Sequence, residues 1–395
     1  MRSRAVSLFA ALALLTGAGA VCAQTWTPAD PPAAAGAMAP SLTPTAGGLL
    51  LTWLEPAPAG TAGHALRFAR TKDGHWTPPV TIASGEGFFA NWADFPAVAQ
   101  APDGSLTAHW LAKTGTDTYA YGIFLARSTD GGATWSPAGL LHSDRLPTEH
   151  GFVSWVEDGA DLRGVWLDGR EMLKEGPMTL RTGLVGKPES EELLDARVCD
   201  CCQTDAARTD AGPVVVYRDR SDKEVRDIYV IRKTATGWST PAPVHADGWE
   251  IPGCPVNGPS VAASGRHVAV AWFTAAAPAG PRVQLALSED GGATFGKPIL
   301  IDGEQPLGRV DLQLDPAGSA VVSWLATQEK GAAVRLRRVT AQGVASPPET
   351  LAATSAARSA GFPRSVVFAG RLWLAWVDDS EGASHVRVAS APLGP

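Results

Sequence analysis

The chain has 395 residues, a formal net charge of −7 and 45% hydrophobic content. This mildly acidic balance, with no clustering of Lys and Arg, lacks the electrostatic footprint of a nucleic-acid binder. Beyond the N-terminal leader no run approaches the roughly 18 continuous apolar residues of a membrane span, so no transmembrane segment is expected.

The first segment, MRSRAVSLFAALALLTGAGAVCAQ, places Arg2 and Arg4 before an apolar run, with Val21 and Ala23 preceding Gln24. This pattern predicts a secretory signal peptide over 1–23, a mature chain over 24–395 and a periplasmic or secreted location. Cys22 as a lipidated N-terminus is the rival reading, which the bulk of Val21 disfavours. Cleavage removes two arginines and takes the net charge to −9, and it leaves four cysteines for a compartment where disulfides persist.

The mature chain repeats. A β-rich run ending in an aromatic residue recurs at Trp53, Trp110, Trp166, Tyr217, Trp272, Trp324 and Trp376, at spacings of 57, 56, 51, 55, 52 and 52. Around each run the sequence supports four short strands, the fourth marked by stretches such as HWTPPVTIA, TWSPAGLL and GWSTPAPV. Four strands in a repeat of about 50 residues predict a blade of a β-propeller. The expected architecture is all-β, one domain and seven blades, with a six-bladed ring as the alternative. The last repeat stops after its third strand, VRVASAPL, and the mature chain begins QTWTPADPP, which reads as a fourth strand. The N-terminal strand should therefore complete the last blade and close the ring.

Two turns, STDGGATW (Ser128 to Trp135) and SEDGGATF (Ser288 to Phe295), with a weaker copy at TKDGHW, resemble the Asp-box or BNR repeat of sialidases and other propellers. The motif's place between third and fourth strands fixes orientation: the opposite face is built from the segments leading into each first strand and those leaving each second strand. A ligand, small-molecule or carbohydrate, is expected in the funnel of that face. The lead-in segments are MAPSL, NWADFP, TEHGF, CDCCQT, GCPVNGP, LGRVD and GFPRS. Together with the second-strand exits they supply candidate ligand-binding residues Trp92, His150, Asn257, Arg170, Arg218, Arg309 and Arg364. The same loops supply Asp94, Glu149 and Asp168 as candidate catalytic carboxylates, because a pair of carboxyl groups is what glycoside cleavage needs.

The sialidase resemblance implies three arginines on a sugar carboxylate, a tyrosine activated by a glutamate, and an aspartate as acid/base. The chain departs from it where sialidases carry R-I-P, since Met38-Ala39-Pro40 stands there. It holds only four tyrosines, of which Tyr217 takes a packing position in the repeat. The alternatives left open are a binding propeller and a glycoside hydrolase.

RVCDCCQTD places Cys199, Cys201 and Cys202 in the lead-in of blade 4, and Cys254 occupies the corresponding point of blade 5. Adjacent lead-ins meet in space, so Cys201 or Cys202 is expected to bond Cys254, leaving the other two to pair locally. The competing reading is a soft-metal site, Cu or Zn, formed by Cys199, Cys201, Cys202 and Cys254 with His150. C-x-C-C lacks the C-x₂-C spacing of ordinary zinc sites.

Overall fold

The computed structural model describes residues 25–380 and 382–393, so the expected signal peptide lies outside the described residues. Seven antiparallel sheets follow one another along the chain, and each is one blade. They span 38–85, 97–140, 150–195, 205–243, 260–302, 306–354, and 364–392 with 27–28. In blades 1 and 4 the fourth strand is broken in two, at His75–Trp76 and Val80–Gly85 and at Gly237–Trp238 and Ala242–Pro243, because prolines interrupt the ladder there. The ring closes as the sequence predicts: Thr27 pairs with Ser390 and Pro28 with Ala389 on the outer edge of blade 7. Asp30 then accepts the Val388 N–H at 3.0 Å. No described helix is long and apolar enough to cross a membrane.

The repeated aromatic lies in the second strand, and Trp53, Trp166, Trp272 and Trp324 are wholly buried between blades. A buried indole N–H needs an acceptor. Carboxylates supply it: Glu55 for Trp53 at 2.7 Å, Asp168 for Trp166 at 2.8 Å, Asp247 for Trp272 at 2.7 Å and Asp302 for Trp324 at 2.7 Å. Tyr217, which replaces tryptophan in blade 4, is also buried and donates its hydroxyl to Asp195.

The turns at Asp130 and Asp290 are built alike. Asp130 accepts the Thr134 N–H at 3.0 Å and its hydroxyl at 2.6 Å, while Ser128 Oγ accepts the Gly132 N–H at 2.8 Å. Asp290, Thr294, Ser288 and Gly292 repeat the same set. Trp135 then meets Phe68 of blade 1 edge-on at 5.8 Å, so this turn also joins two blades.

Around the central axis a side chain near the head of one blade bonds the main chain of the next. Asp94 accepts the Phe152 N–H at 2.8 Å, Asp205 the Val261 N–H at 2.9 Å, Asn257 the Arg309 N–H at 2.6 Å and Asp311 the Ser365 N–H at 2.6 Å. Gln203 accepts the Gly258 N–H at 3.0 Å. These clasps need room. A Cβ on Gly151 would stand 1.9 Å from Asp94 Oδ2, and one on Gly308 would stand 2.3 Å from Asn257 Oδ1. Gly151→Ala is therefore expected to destabilise the protein by about 1–3 kcal/mol, the usual cost of overpacking. Gly87→Ala, whose Cβ would meet nothing within 4 Å, should stay within about 0.5 kcal/mol of wild type. Urea denaturation of the two variants checks the contrast.

Candidate functional site

The lead-in strands do not enter the ring as regular β. In blades 1, 3 and 6 the first strand slips register between Met38 and Ser41, Gly151 and Ser154, and Gly308 and Asp311. At each slip one residue adopts positive φ: Ala39 at 53°, Phe152 at 55° and Arg309 at 54°. A left-handed phenylalanine or arginine is strained, and bulges of this kind re-aim side chains beside binding sites. Here Arg309 is carried against the Trp92 ring, whereas Phe152 packs into the buried core with Ala93 and Phe362.

At Arg309 the consequence is specific. Its guanidinium lies 4.7 Å from the centroid of the Trp92 ring and donates to the carbonyls of Ala357 and Gly361, each at 3.0 Å. Burial lowers its pKa to about 10, so it remains charged at neutral pH. Arg358, which is exposed, approaches the same ring at 6.0 Å, and Phe362 stacks on it at 6.0 Å. Beneath this layer Phe95 contacts Phe362 at 5.9 Å and carries the Arg364 guanidinium at 5.1 Å. Arg364 also pairs with Asp311 at 3.2 Å. Still lower, a cavity of about 280 Å³ runs along the axis between Ser41, Ser154, Thr204, Asp205 and Arg364 toward Glu157 on the side of the Asp130 turn.

The other sequence-expected residues occupy distinct environments. Asp94 is buried beneath the mouth with Oδ1 in its clasp and Oδ2 without a partner, and burial raises its pKa well above the usual carboxylate range. Asp168 holds the Trp166 indole and Arg170. Asn257 spends its side chain on Arg309 N, Pro255 O and Leu307 O. Arg218 is buried and donates to the carbonyls of Asn257, Arg226 and Phe273, so its guanidinium ties blades 4 and 5.

His150 hydrogen-bonds Thr148 O at 3.0 Å and Asp144 Oδ2 at 2.9 Å, with Asp168 3.7 Å away. Burial works against its charge, but Asp144 and Asp168 outweigh burial and raise its pKa. His142 stacks on it at 3.9 Å and also uses both ring nitrogens, toward Ile123 N and Asp144 O. Arg170 completes the network with Asp144 at 3.1 Å and Glu191 at 2.7 Å. Among the described residues these histidines group with Asp144, and the cysteines form a separate group. The soft-metal set anticipated from sequence thus falls into two groups, with His150 beside His142 and Asp144 and the cysteines by themselves.

Glu149 is only half-buried. It accepts the Tyr121 hydroxyl at 2.6 Å, and burial, with the nearby charge of Asp200, raises its pKa to about 7. Tyr121 is fully buried, which makes the phenol an anchor for Glu149 rather than a group offered to a ligand.

The cysteine cluster follows beyond Asp200. Cys201 and Cys254 form a disulfide with Cα atoms 6.1 Å apart, stapling the lead-ins of blades 4 and 5. Cys199 and Cys202 are buried thiols with sulfurs 2.7 Å apart. Arg226 donates to Cys199 Sγ at 3.4 Å and pairs with Glu224 at 2.7 Å, while Arg220 bridges Glu224 and Asp200. Burial opposes ionisation of Cys199, but the S–H of Cys202, the N–H of Cys201 and the two arginines Arg218 and Arg226 lower its pKa; burial raises that of Cys202. Arg358, Arg220 and Arg226 were not singled out from sequence. They sit in the connection before blade 7 and in the loop after the second strand of blade 4.

No family model and no curated relative matches the sequence. Solved structures do match along nearly the whole chain. A GH93 α-L-arabinofuranosidase of Fusarium graminearum, solved with arabinobiose, is 16% identical over 94% of this chain and 97% of its own, with a TM-score of 0.53. An α-L-arabinanase of Penicillium chrysogenum is 14% identical over 94% and 98%, with a TM-score of 0.51. The polysaccharide lyase Uly1 is 8% identical over 90% of both chains, with a TM-score of 0.55. At these identities the likeness establishes the propeller fold, shared with carbohydrate-active enzymes.

The raised pKa of Glu149 sets a direction for stability. Its folded value of about 7 exceeds the ordinary 4.5, so its contribution is whole below about pH 4.5 and is lost as pH rises through about 7. Glu149→Gln keeps an acceptor for Tyr121 without the charge. The variant should match wild type at pH 4 and exceed it at pH 8 by on the order of 2 kcal/mol. Denaturation curves at the two pH values check this.

Proposed function

We propose that this chain is an exported, sialidase-like propeller that binds an acidic carbohydrate at the funnel mouth opposite the Asp130 and Asp290 turns. The observation that carries this reading is the bulge at Gly308–Arg309, where a strained arginine is held against the Trp92 ring. Backbone strain is characteristic of binding sites, and among the three strained lead-ins this one sets a cation against an aromatic ring. Trp92 offers an aromatic face, and exposed Arg358 beside it offers a planar fork suited to a carboxylate. The cysteine staple between blades 4 and 5 serves in this reading to fix two of the lead-ins that shape the mouth.

Titration calorimetry with sialyllactose, oligogalacturonate and a neutral oligosaccharide tests the proposal. Wild type is expected to prefer an acidic ligand, with affinity falling as salt rises. Trp92→Ala and Arg358→Ala should each weaken it at least tenfold with the fold intact. Indifference of both variants, or equal binding of the neutral sugar, overturns the reading.

Glycoside hydrolysis is favoured by a separate observation. Glu149 combines partial exposure at a lead-in with a pKa raised to about 7, the condition of a general acid at neutral pH. Asp94 and Asp168 are fully buried, so Glu149, half-buried with one oxygen on Tyr121 and with Asp200 nearby, is the carboxylate of the three with access to a ligand. Turnover of an aryl glycoside panel that is lost in Glu149→Gln supports hydrolysis; turnover unchanged in that variant removes Glu149 from the reaction.

A further inference from the structure

The four cysteines of blades 4 and 5 are arranged in depth. Cys199 and Cys202 are 0% and 1% exposed, whereas their bonded neighbours lie outward, Cys201 half-buried and Cys254 exposed. The inner pair is within reach of the outer one: Cys199 Sγ lies 3.9 Å from Cys201 Sγ and 2.7 Å from Cys202 Sγ. The Arg226 guanidinium reaches Cys199 Sγ at 3.4 Å, a cation placed where a thiolate would be stabilised. A staple alone needs only Cys201 and Cys254. The buried pair touching it is unexplained by stapling, and it lies outside the ligand site proposed above.

We propose that the four cysteines form a thiol–disulfide exchange unit that moves a reducing pair between the interior and the surface, where it meets disulfide-bearing partners. The Cys199 thiolate attacks Cys201 Sγ; the Cys199–Cys201 bond forms, the Cys201–Cys254 bond breaks, and Cys254 leaves as a thiolate that takes a proton from solvent. Cys202 then gives up its proton as its sulfur attacks Cys199 Sγ; the Cys199–Cys202 bond forms, the Cys199–Cys201 bond breaks, and Cys201 leaves as a thiolate that takes up that proton. The exchange is electron-neutral: one disulfide has moved inward, and two thiols have moved outward. The outer dithiol then reduces an external disulfide to two thiols and is itself reoxidised to Cys201–Cys254, which leaves the unit with both pairs oxidised.

The test uses the full mature protein with Cys201–Cys254 as its one disulfide, isolated at low pH where exchange is quenched, and exchange is begun by raising the pH to 8. N-ethylmaleimide is added under native conditions, circular dichroism verifies the fold, and peptide mapping locates label and disulfide over time. The expected result is label accumulating on Cys201 and Cys254 with Cys199–Cys202 as the surviving disulfide. Label on Cys199 and Cys202 with Cys201–Cys254 intact, or no label before unfolding, overturns the proposal. In the same state, Ellman's reagent as the external disulfide should release two thiolate equivalents from folded wild type. Cys199→Ser, which keeps the staple and lacks the attacking sulfur, should release none until denatured; release at the wild-type rate would overturn the assignment to Cys199.

Discussion

The structure depends on how each blade grips the next around the axis. A propeller has no continuous hydrogen-bonded sheet across its blades, so neighbours adhere by apolar contact and by whatever polar bonds the inner strands exchange. Here a carboxylate or amide near the head of one blade accepts a main-chain N–H from the next, at Asp94, Asp205, Asn257 and Asp311. Between the packed inner strands each bond satisfies a backbone donor that would otherwise be costly. Glycine opposite the clasp, at Gly151 and Gly308, is the steric complement that lets the acceptor approach.

These grips also account for the shape of the mouth. Where the clasp draws in the main chain of blades 3 and 6, the strand bulges and one residue passes to positive φ. In blade 6 that residue is Arg309, which is thereby thrown over Trp92. The same geometry that locks one blade to another therefore fixes an aromatic ring and a cation at the centre of the face. Stability and site are consequences of one local arrangement, and a change to Asn257 would be felt in both.

The repeat was legible in the sequence because it rests on period. Seven aromatic marks at nearly even spacing, and a chain ending one strand short, were enough for blade number and closure. The location of Cys254 beside the cluster followed from the same arithmetic, and the Cys201–Cys254 bond agrees with it. Partner choice was less legible. Asp168 and Asp94 are chemically eligible for catalysis in any one-dimensional reading, yet Asp168 lies two residues from a buried indole and Asp94 faces a glycine 57 residues away. Only the W-x-D spacing in VWLD, matched by W-x-E in TWLE, carried a trace of the first role. His150 shows the same limit: its lead-in neighbours that of the cysteines, but its ring turns to Asp144 in its own approach segment, where a bulge and two carboxylates hold it.

The cysteine segment shows how one lead-in serves two demands. Gln203, one residue past Cys202, clasps Gly258 and also donates to Ala93 O, so the main chain of blade 4 is already fixed to blades 2 and 5. The Cys201–Cys254 bond adds a covalent link at a place where the polar grip exists, and its added restraint falls chiefly on the unfolded chain. Rigidity around the segment also holds Cys199 against its neighbours, with Arg226 tethered by Glu224 and Arg220 tethered to both Glu224 and Asp200. A sulfur held this way does not need the mobility that exposed thiols rely on to find a partner, because the clasped backbone has placed the partner within 3.9 Å. The ring's structural grip is thus what makes sulfur chemistry at this point a matter of fixed distance.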